Sequence, residues 1–540
     1  MKNRLLFYTA IFSLMMIISS CNPQVGSSQI LYLPLDDRPV NFKQVVELSG
    51  LTGSSVVYPD GQTLKNHAEL AKWSAANART SSTVIASLDA LIYGGLVESR
   101  KHKLTQNEIN GRIEEIKKLK TKNNRVYAFI SIMRAPSANT PYTMPDYYSK
   151  YGFMIYQYGE LAHKLGLGLA NPAEIQRYNN IKATIPNELN DFAGRRQKNL
   201  SATGEILKLV QQGYIDHLTI SKDDASAYGY SVLEAQKLNS LIKLHGIESK
   251  VTFLTGTDEC GMLLLAAASV GKKNQTGPRI FVDYADPAGK NAILHYEDVP
   301  LDENVSLHIN AIGAIRTPDV HQADMVLAVH NGPGLEDSAS IPAGGQNTGA
   351  RNGQNIEQNT EQNFVGRIAN YIDEGKTVCL ADVKLPNGAD NEFMQKLGAS
   401  VDLSKLGAYA GWNTPGNSLG IALSQGLIYH LYNGKDDHNG ENAVRRQAQR
   451  QVHRQILLTR LIEDWGYQSV VRPQLKKEVP PGQQFLFIDR EFEQNIAVKT
   501  KEMLNQFAEQ NLAKNFGGIT VSNVTFPWHR LFDVDFQLKD

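Results

Sequence analysis

A chain of 540 residues exceeds what one ordinary core accommodates, so a large domain with insertions or two to three smaller domains is expected. Its 55 basic and 55 acidic residues cancel, and no basic run is interleaved with aromatics, which argues against nucleic acid as a partner. Three cysteines and no Cys/His array of zinc-ligand spacing argue against a disulfide scaffold and a structural metal, and no cofactor or metal is expected.

Residues 1–20 carry Lys2 and Arg4, the apolar run Leu5 to Ile18, and Ser19-Ser20 before Cys21. The run is too short to span a bilayer and is laid out as a signal peptide. Small residues ending at a cysteine resemble a bacterial lipobox, which implies cleavage before Cys21, a lipid on its thiol and a linker over 21–29. A lipid-anchored envelope protein is therefore expected, with the lipid holding the membrane. Asn22, where an inner-membrane retention signal would show Asp, favours the outer membrane.

From Ile30 one pattern recurs: an apolar, β-branched run ends abruptly in charge. Ile30 to Leu35 ends in Asp36-Asp37-Arg38, and Thr83 to Leu88 ends in Asp89. A helix is predicted over 66–79 and an amphipathic one over 105–122, with Ile109, Ile113, Ile116 and Leu119 on one face. Arg125 to Met133 ends in Arg134 and a loop of Pro, Asn139, Tyr142 and further aromatics, suited to a sugar ring. Residues 151–213 read as helical with breaks at Pro172 and Pro186. His217 to Ser221 ends in Lys222-Asp223-Asp224, followed by Ala-Ser-Ala-Tyr228-Gly, and Val251 to Thr255 ends in Gly256-Thr257-Asp258-Glu259.

Residues 260–270 form a helix apolar all round, to be packed between layers. Further strands end in Asp283, in His330-Asn331 and in Asp382, and the Gln/Asn/Gly-rich stretch 336–363 reads as a surface loop. Leu406 to Trp412 runs into Asn413-Thr414-Pro415-Gly416-Asn417 ahead of a helix over 420–432. Beyond residue 433 the composition becomes that of an accessory region, mostly helical, with a long amphipathic helix over 441–465.

Apolar strands alternating with helices indicate parallel α/β architecture covered on both faces. About eight such units between Ile30 and Trp412 fit a (β/α)8 TIM-like barrel over 30–432. The alternative is a doubly wound parallel sheet with a second α/β domain starting near residue 305. In either case functional residues gather at the carboxyl ends of strands. Asp223 and Asp224 are adjacent, and in a regular strand they would point to opposite faces. They can share a pocket only where the strand has ended and the chain turns. Asp223 and Asp224, with Asp258 and Glu259 as a second acid pair, are the catalytic candidates. Asp36, Asp37, Arg38, Asp89, Arg134, Asn139, Tyr142, Lys222, Tyr228, His330, Asn331, Asp382, Trp412, Asn413 and Asn417 are the substrate-binding candidates. No Gly-x-Gly-x-x-Gly, Walker-type loop or Gly-x-Ser-x-Gly elbow follows any strand.

Leu33-Pro34-Leu35-Asp36-Asp37-Arg38-Pro39, Arg134-Ala135-Pro136-Ser137, Ser221-Lys222-Asp223-Asp224, Thr255-Gly256-Thr257-Asp258-Glu259 and Ala410 to Asn417 together resemble a bacterial family designated as a domain of unknown function, DUF4127, over nearly the whole mature chain. That resemblance implies no activity. Asp223-Asp224 and Trp412-Asn413-Thr414-Pro415-Gly416-Asn417 are also loosely similar to the retaining O-GlcNAc-hydrolase-type β-N-acetylglucosaminidases, which carry an Asp-Asp pair after the fourth strand of a barrel. Lys222 stands where those enzymes have an aromatic. The similarity implies a glycoside hydrolase acting on an amino-sugar-containing envelope glycan, with Asp223 orienting the acetamido group and Asp224 protonating the leaving oxygen. Two other readings stay open: a metal-dependent hydrolase using Asp36, Asp223, Asp258 and His330, and a non-catalytic glycan-binding lipoprotein.

Overall fold

Eleven parallel strands build two open sheets. The computed structural model describes residues 28–140, 142–273, 276–332, 354–433 and 440–539. Strands β1 (Gln29–Leu33), β2 (Ser55–Val57), β3 (Thr83–Ser87), β4 (Arg125–Ile132), β5 (His217–Lys222) and β6 (Val251–Thr255) form the first, in the order β2-β1-β3-β4-β5-β6. Strands β7 (Arg279–Tyr284), β8 (Ile315–Thr317), β9 (Met325–His330), β10 (Thr377–Asp382) and β11 (Ala408–Ala410) form the second, ordered β11-β10-β9-β7-β8. Counted from its own first strand, the second sheet repeats the 2-1-3-4-5 order of the first. That is a doubly wound order, with its switch point between β1 and β3 in one sheet and between β7 and β9 in the other.

The expected single barrel is thus corrected: the sheets do not close, and the second begins at Arg279, ahead of residue 305. The sequence pattern was compatible with both because a parallel strand buried on two faces reads alike in either arrangement. In β1, Leu31 and Leu33 enter one core while Ile30 and Tyr32 enter another. In β9, Met325, Leu327 and Val329 face that second core, and Val326 and Ala328 face a third. Alternation is therefore present, but both faces are apolar.

The middle core is shared by the sheets. Helix Cys260–Lys273 lies in it with helix Pro415–Tyr432, between the two sheets, and so is apolar on every side. Cys260 and Cys379 are free and buried as small core residues. Pro172 and Pro186 begin helices Pro172–Thr184 and Pro186–Gln211, where a missing N–H costs nothing, and the predicted helix over 105–122 starts in a capping box of Thr105 with Glu108.

The region after 433 packs on the outer face of the second sheet through Leu457, Leu461, Trp465, Phe507 and Phe536. It is not purely helical. Helix Gly440–Arg460 passes into a π-helix, Leu461–Val471, and the chain ends in an antiparallel hairpin of β12 (Thr520–Thr525) and β13 (Asp535–Lys539). The predicted loop over 336–363 lies outside the described residues as far as 353, and from Gln354 the chain is helical to Asp373. The leader, the linker and Cys21 also lie outside them, up to residue 27. No helix among the described residues is long and apolar enough to cross a membrane.

Candidate functional site

Loops from the carboxyl ends of both sheets meet. Lys222, the last residue of β5, donates to Asp298 in the loop after β7 at 2.5 and 2.7 Å, and Ala225 N donates to Tyr296 O at 3.0 Å. Gly416 N, after β11, donates to Glu297 Oε1 at 2.8 Å. Asn417 Nδ2 donates to Glu259 Oε2, after β6. These contacts join the carboxyl-end loops of the two sheets into one seam, termed the cleft, on the side where doubly wound sheets take ligands.

At its first-sheet wall the acid pair sits in a turn. Asp224 adopts φ 46°, a left-handed conformation that ends the strand and swings its carboxylate beside its neighbour's. Arg100 pairs with Asp223 Oδ2, and Arg134 Nη1 donates to Asp224 Oδ2 at 2.7 Å. Thr143 joins the two cations: its Oγ1 accepts from Arg134 at 2.9 Å and its carbonyl from Arg100 at 3.5 Å. Burial pushes the Asp224 carboxyl above its ordinary value, Arg134 pulls it down, and Asp223 raises it again; the net direction is upward. Burial, then Arg134, brings the Arg100 guanidinium down to about 10. Lys222 faces Asp298 and takes no part in the pair.

Beside it lies a second cluster. Arg38 Nη2 donates to Asp36 Oδ2 at 2.7 Å and to Asp258 Oδ1 at 2.5 Å, and Asn41 Nδ2 reaches Asp258 Oδ1 at 2.9 Å. Asn413 Nδ2 donates to Asn417 Oδ1 at 2.9 Å and lies 3.4 Å from Asp258 Oδ2. Burial works against the Asp258 charge, but Arg38 and Asn41 more than offset it and hold the carboxyl low; burial leaves Asp36 raised despite Arg38. Glu259 is fully buried, 3.5 Å from His308 Nε2. Trp528, from the C-terminal hairpin, stacks on Arg38 at 4.6 Å and donates Nε1–H to Asp37 at 2.6 Å.

Backbone strain concentrates here. Among the described non-glycine residues with positive φ are Asp224, Tyr296, Asn387, Asn413 and Trp528; Asn387 N donates to Asn413 O at 2.8 Å, and Tyr296 O accepts from Ala225 N, the residue after Asp224. Left-handed Tyr and Trp are costly and persist only where surroundings over-determine them.

Of the other candidates, Asp89 feels the charges of Arg100 and Asp223, and the rest bond elsewhere. Asp89 is buried and accepts from Ser131 N at 2.8 Å and Oγ at 3.0 Å; burial raises it to about 7. Asn139 Oδ1 accepts from Phe153 N, inside helix Tyr148–Gly166, at 3.0 Å, and exposed Tyr142 accepts from Lys101 by its carbonyl. Tyr228 packs edge-on to His163, and Asn331 clamps Asp286 N and O. Trp412 is 1% exposed and packs on Phe532, so its ring is closed to a sugar.

His330 belongs to a network on the second sheet. Its Nδ1 is 2.9 Å from Asp382 Oδ1 and its ring stacks on Phe393. Donor atoms of His330, Glu361 and Asp390 lie within 4.8 Å of one another, yet Lys384 Nζ sits 2.8 Å from Glu361 and 3.0 Å from Asp390, where a cation would bind. Burial opposes the His330 charge, but Asp382 and Glu361 raise it overall. Asp36 and Asp258 share a guanidinium and Asp223 has its own, so the quartet proposed for a metal is not assembled around a common point.

The sequence pattern did not point to Arg100, Thr143, Asn41, Tyr296, Glu297, Asp298 or Trp528. Only Asn41, next to the Asp-Asp-Arg-Pro-Val run, carried a local signal.

The model of the family described as Protein of unknown function (DUF4127) matches residues 30–537. The chain belongs to that family. Both sheets, the acid pair, the Arg38 cluster and Trp528 of this DUF4127 member lie inside the match. No curated protein and no solved structure matches the chain significantly.

Proposed function

We propose that the cleft hydrolyses a glycosidic bond in an amino-sugar-containing glycan of the bacterial envelope, the chain being held there by a lipid on Cys21. The observation that carries this reading is the acid pair: two adjacent carboxylates, each with one oxygen on its own arginine and, among the described residues, the other uncommitted, of which Asp224 is raised by burial. Such a division lets one group stay charged while its neighbour carries a proton. The reading does not need a barrel, because both architectures place these residues at strand carboxyl ends.

In the substrate-assisted form, Asp223 accepts the acetamido N–H while the acetamido oxygen attacks the anomeric carbon. Asp224 gives its proton to the leaving oxygen, and its carboxylate then takes a proton from the water that opens the cyclic intermediate. Asp224 must be protonated at the start, so kcat/KM falls as pH rises through its raised pKa. Asp224→Asn is expected to lose about 100-fold or more on glycosides with poor leaving groups and much less on activated aryl glycosides. Steady-state kinetics on a matched series reads this, and equal loss on both would remove the proton-donor role.

A further inference from the structure

Three guanidinium groups and two aromatic rings stack in one line along the cleft. Arg38 lies 4.6 Å from the Trp528 ring, Arg530 4.7 Å from the same ring and 5.3 Å from Phe532, and Arg472 4.6 Å from Phe532. The charges along this line are unevenly met. Arg38 has Asp36 and Asp258, and Arg530 Nε donates to Asp533 at 2.5 Å. Arg472, on helix Arg472–Glu478, has no carboxylate within ion-pair distance among the described residues; its Nη1 donates to Gln468 Oε1 at 2.5 Å, and its Nε is shut from solvent without a partner. Burial lowers the Arg472 guanidinium, Tyr467 and Asp533 work against that, and Arg530 lowers it again; the net direction is downward. A partly buried cation with a buried N–H left unmet is destabilising until an anion arrives.

What lies beside Arg472 indicates where that anion belongs. Tyr296 O accepts from Ala225 N, next to Asp224, at 3.0 Å, while Gly388 packs on Gln468, the partner of Arg472 Nη1, and the Tyr296 hydroxyl feels the charges of both Asp224 and Arg472. We propose that Arg472, flanked by Arg530 and Tyr296, is an oxyanion subsite of the cleft, taking a carboxylate or phosphate group carried by the substrate. A guanidinium offers such a group paired donors in one plane, and the Phe532 ring beneath it holds that plane. The placement beside Asp224 rests on the glycosidase reading; the oxyanion site itself does not.

Calorimetric titration of the purified full chain at fixed ionic strength tests it, with inorganic phosphate, acetate, glucuronate, N-acetylglucosamine 6-phosphate and neutral N-acetylglucosamine as probes. The charged sugars are expected to bind at least about tenfold more tightly than the neutral one, and whichever of phosphate or carboxylate is preferred identifies the group. Arg472→Gln should lose that tenfold preference while Arg79→Gln, exposed at the amino end of the first sheet, keeps it. If Arg472→Gln does not fold, as judged by circular dichroism, Arg530→Gln read the same way replaces it. Wild-type protein with no preference for charged probes, or a preference that survives in the folded variant, overturns the proposal. Anion binding without turnover of any glycoside would instead sink the glycosidase reading and leave the subsite standing.

Discussion

Arg134 and Asp224 show how one contact sets a working pKa. Burial pushes the Asp224 carboxyl up, and the 2.7 Å guanidinium pulls it part of the way back. Arg134→Gln removes the cation that favours the charged form, so the Asp224 pKa should rise further. The descending basic limb of kcat/KM should then move to higher pH by the same amount. A limb that stays in place would show that another group donates the proton. Asp258 gives the opposite sign. Its folded pKa is depressed, so its stabilisation is complete above the unfolded value of about 3.9 and is lost as pH falls through the folded one. Asp258→Asn should therefore flatten the acid end of a Tm-versus-pH curve below about pH 4, and a curve unchanged in slope would mean that Arg38 does not favour its charge.

At the scale of elements, the terminal hairpin is part of the site. Trp528 is held left-handed between two guanidinium groups and bonds Asp37 through its indole nitrogen. Each cation–π contact contributes about 0.5–1 kcal/mol when exposed and more when desolvated. Trp528→Ala should cost about 1–3 kcal/mol in denaturant unfolding and lower kcat/KM, whereas Trp528→Phe keeps the stacking and loses the bond to Asp37. Nothing in Thr520 to Lys539 signalled this from sequence, because its contact partners are nearly 500 positions away. The strand ends were legible for a local reason: an apolar run must stop where its side chains meet a polar cleft. Which strand pairs with which was not, since β4 is apolar along nearly its whole length whether its sheet curls shut or stays open. Ile315–Thr317 is not legible as a strand, since three residues, two of them exposed, show no period at all. The helix expected over 441–465 is regular only to Arg460. Beyond it the wider π turns carry Asp464 to Gly411 N and Ser469 to Ala389 O, contacts set by tertiary packing.

For the whole molecule the question is whether the two sheets move as one body. Their shared core, with helices Cys260–Lys273 and Pro415–Tyr432 inside it, favours a fixed relation, and the loops lock it at the cleft. Gly416 is the tightest point of that lock. A Cβ added there would meet Thr255 O at 1.9 Å, so backbone of the second sheet's last loop rests directly on the end of β6. The neighbouring pair Lys222–Asp298 is almost closed to solvent, 7% and 6% exposed, and depends on the same approach. Gly416→Ala must separate the two loops, and overpacking of this kind costs about 1–3 kcal/mol. The loss should not be spread evenly: amide exchange should quicken at Thr255, Gly256 and Asn417, at the seam, while β3 and β9 keep their protection. Since Asn417 holds Glu259 and Asn413 lies against Asp258, substrate affinity should fall along with stability. A variant with wild-type exchange at the seam would mean that the shared core alone fixes the sheets and that the cleft loops are free to part.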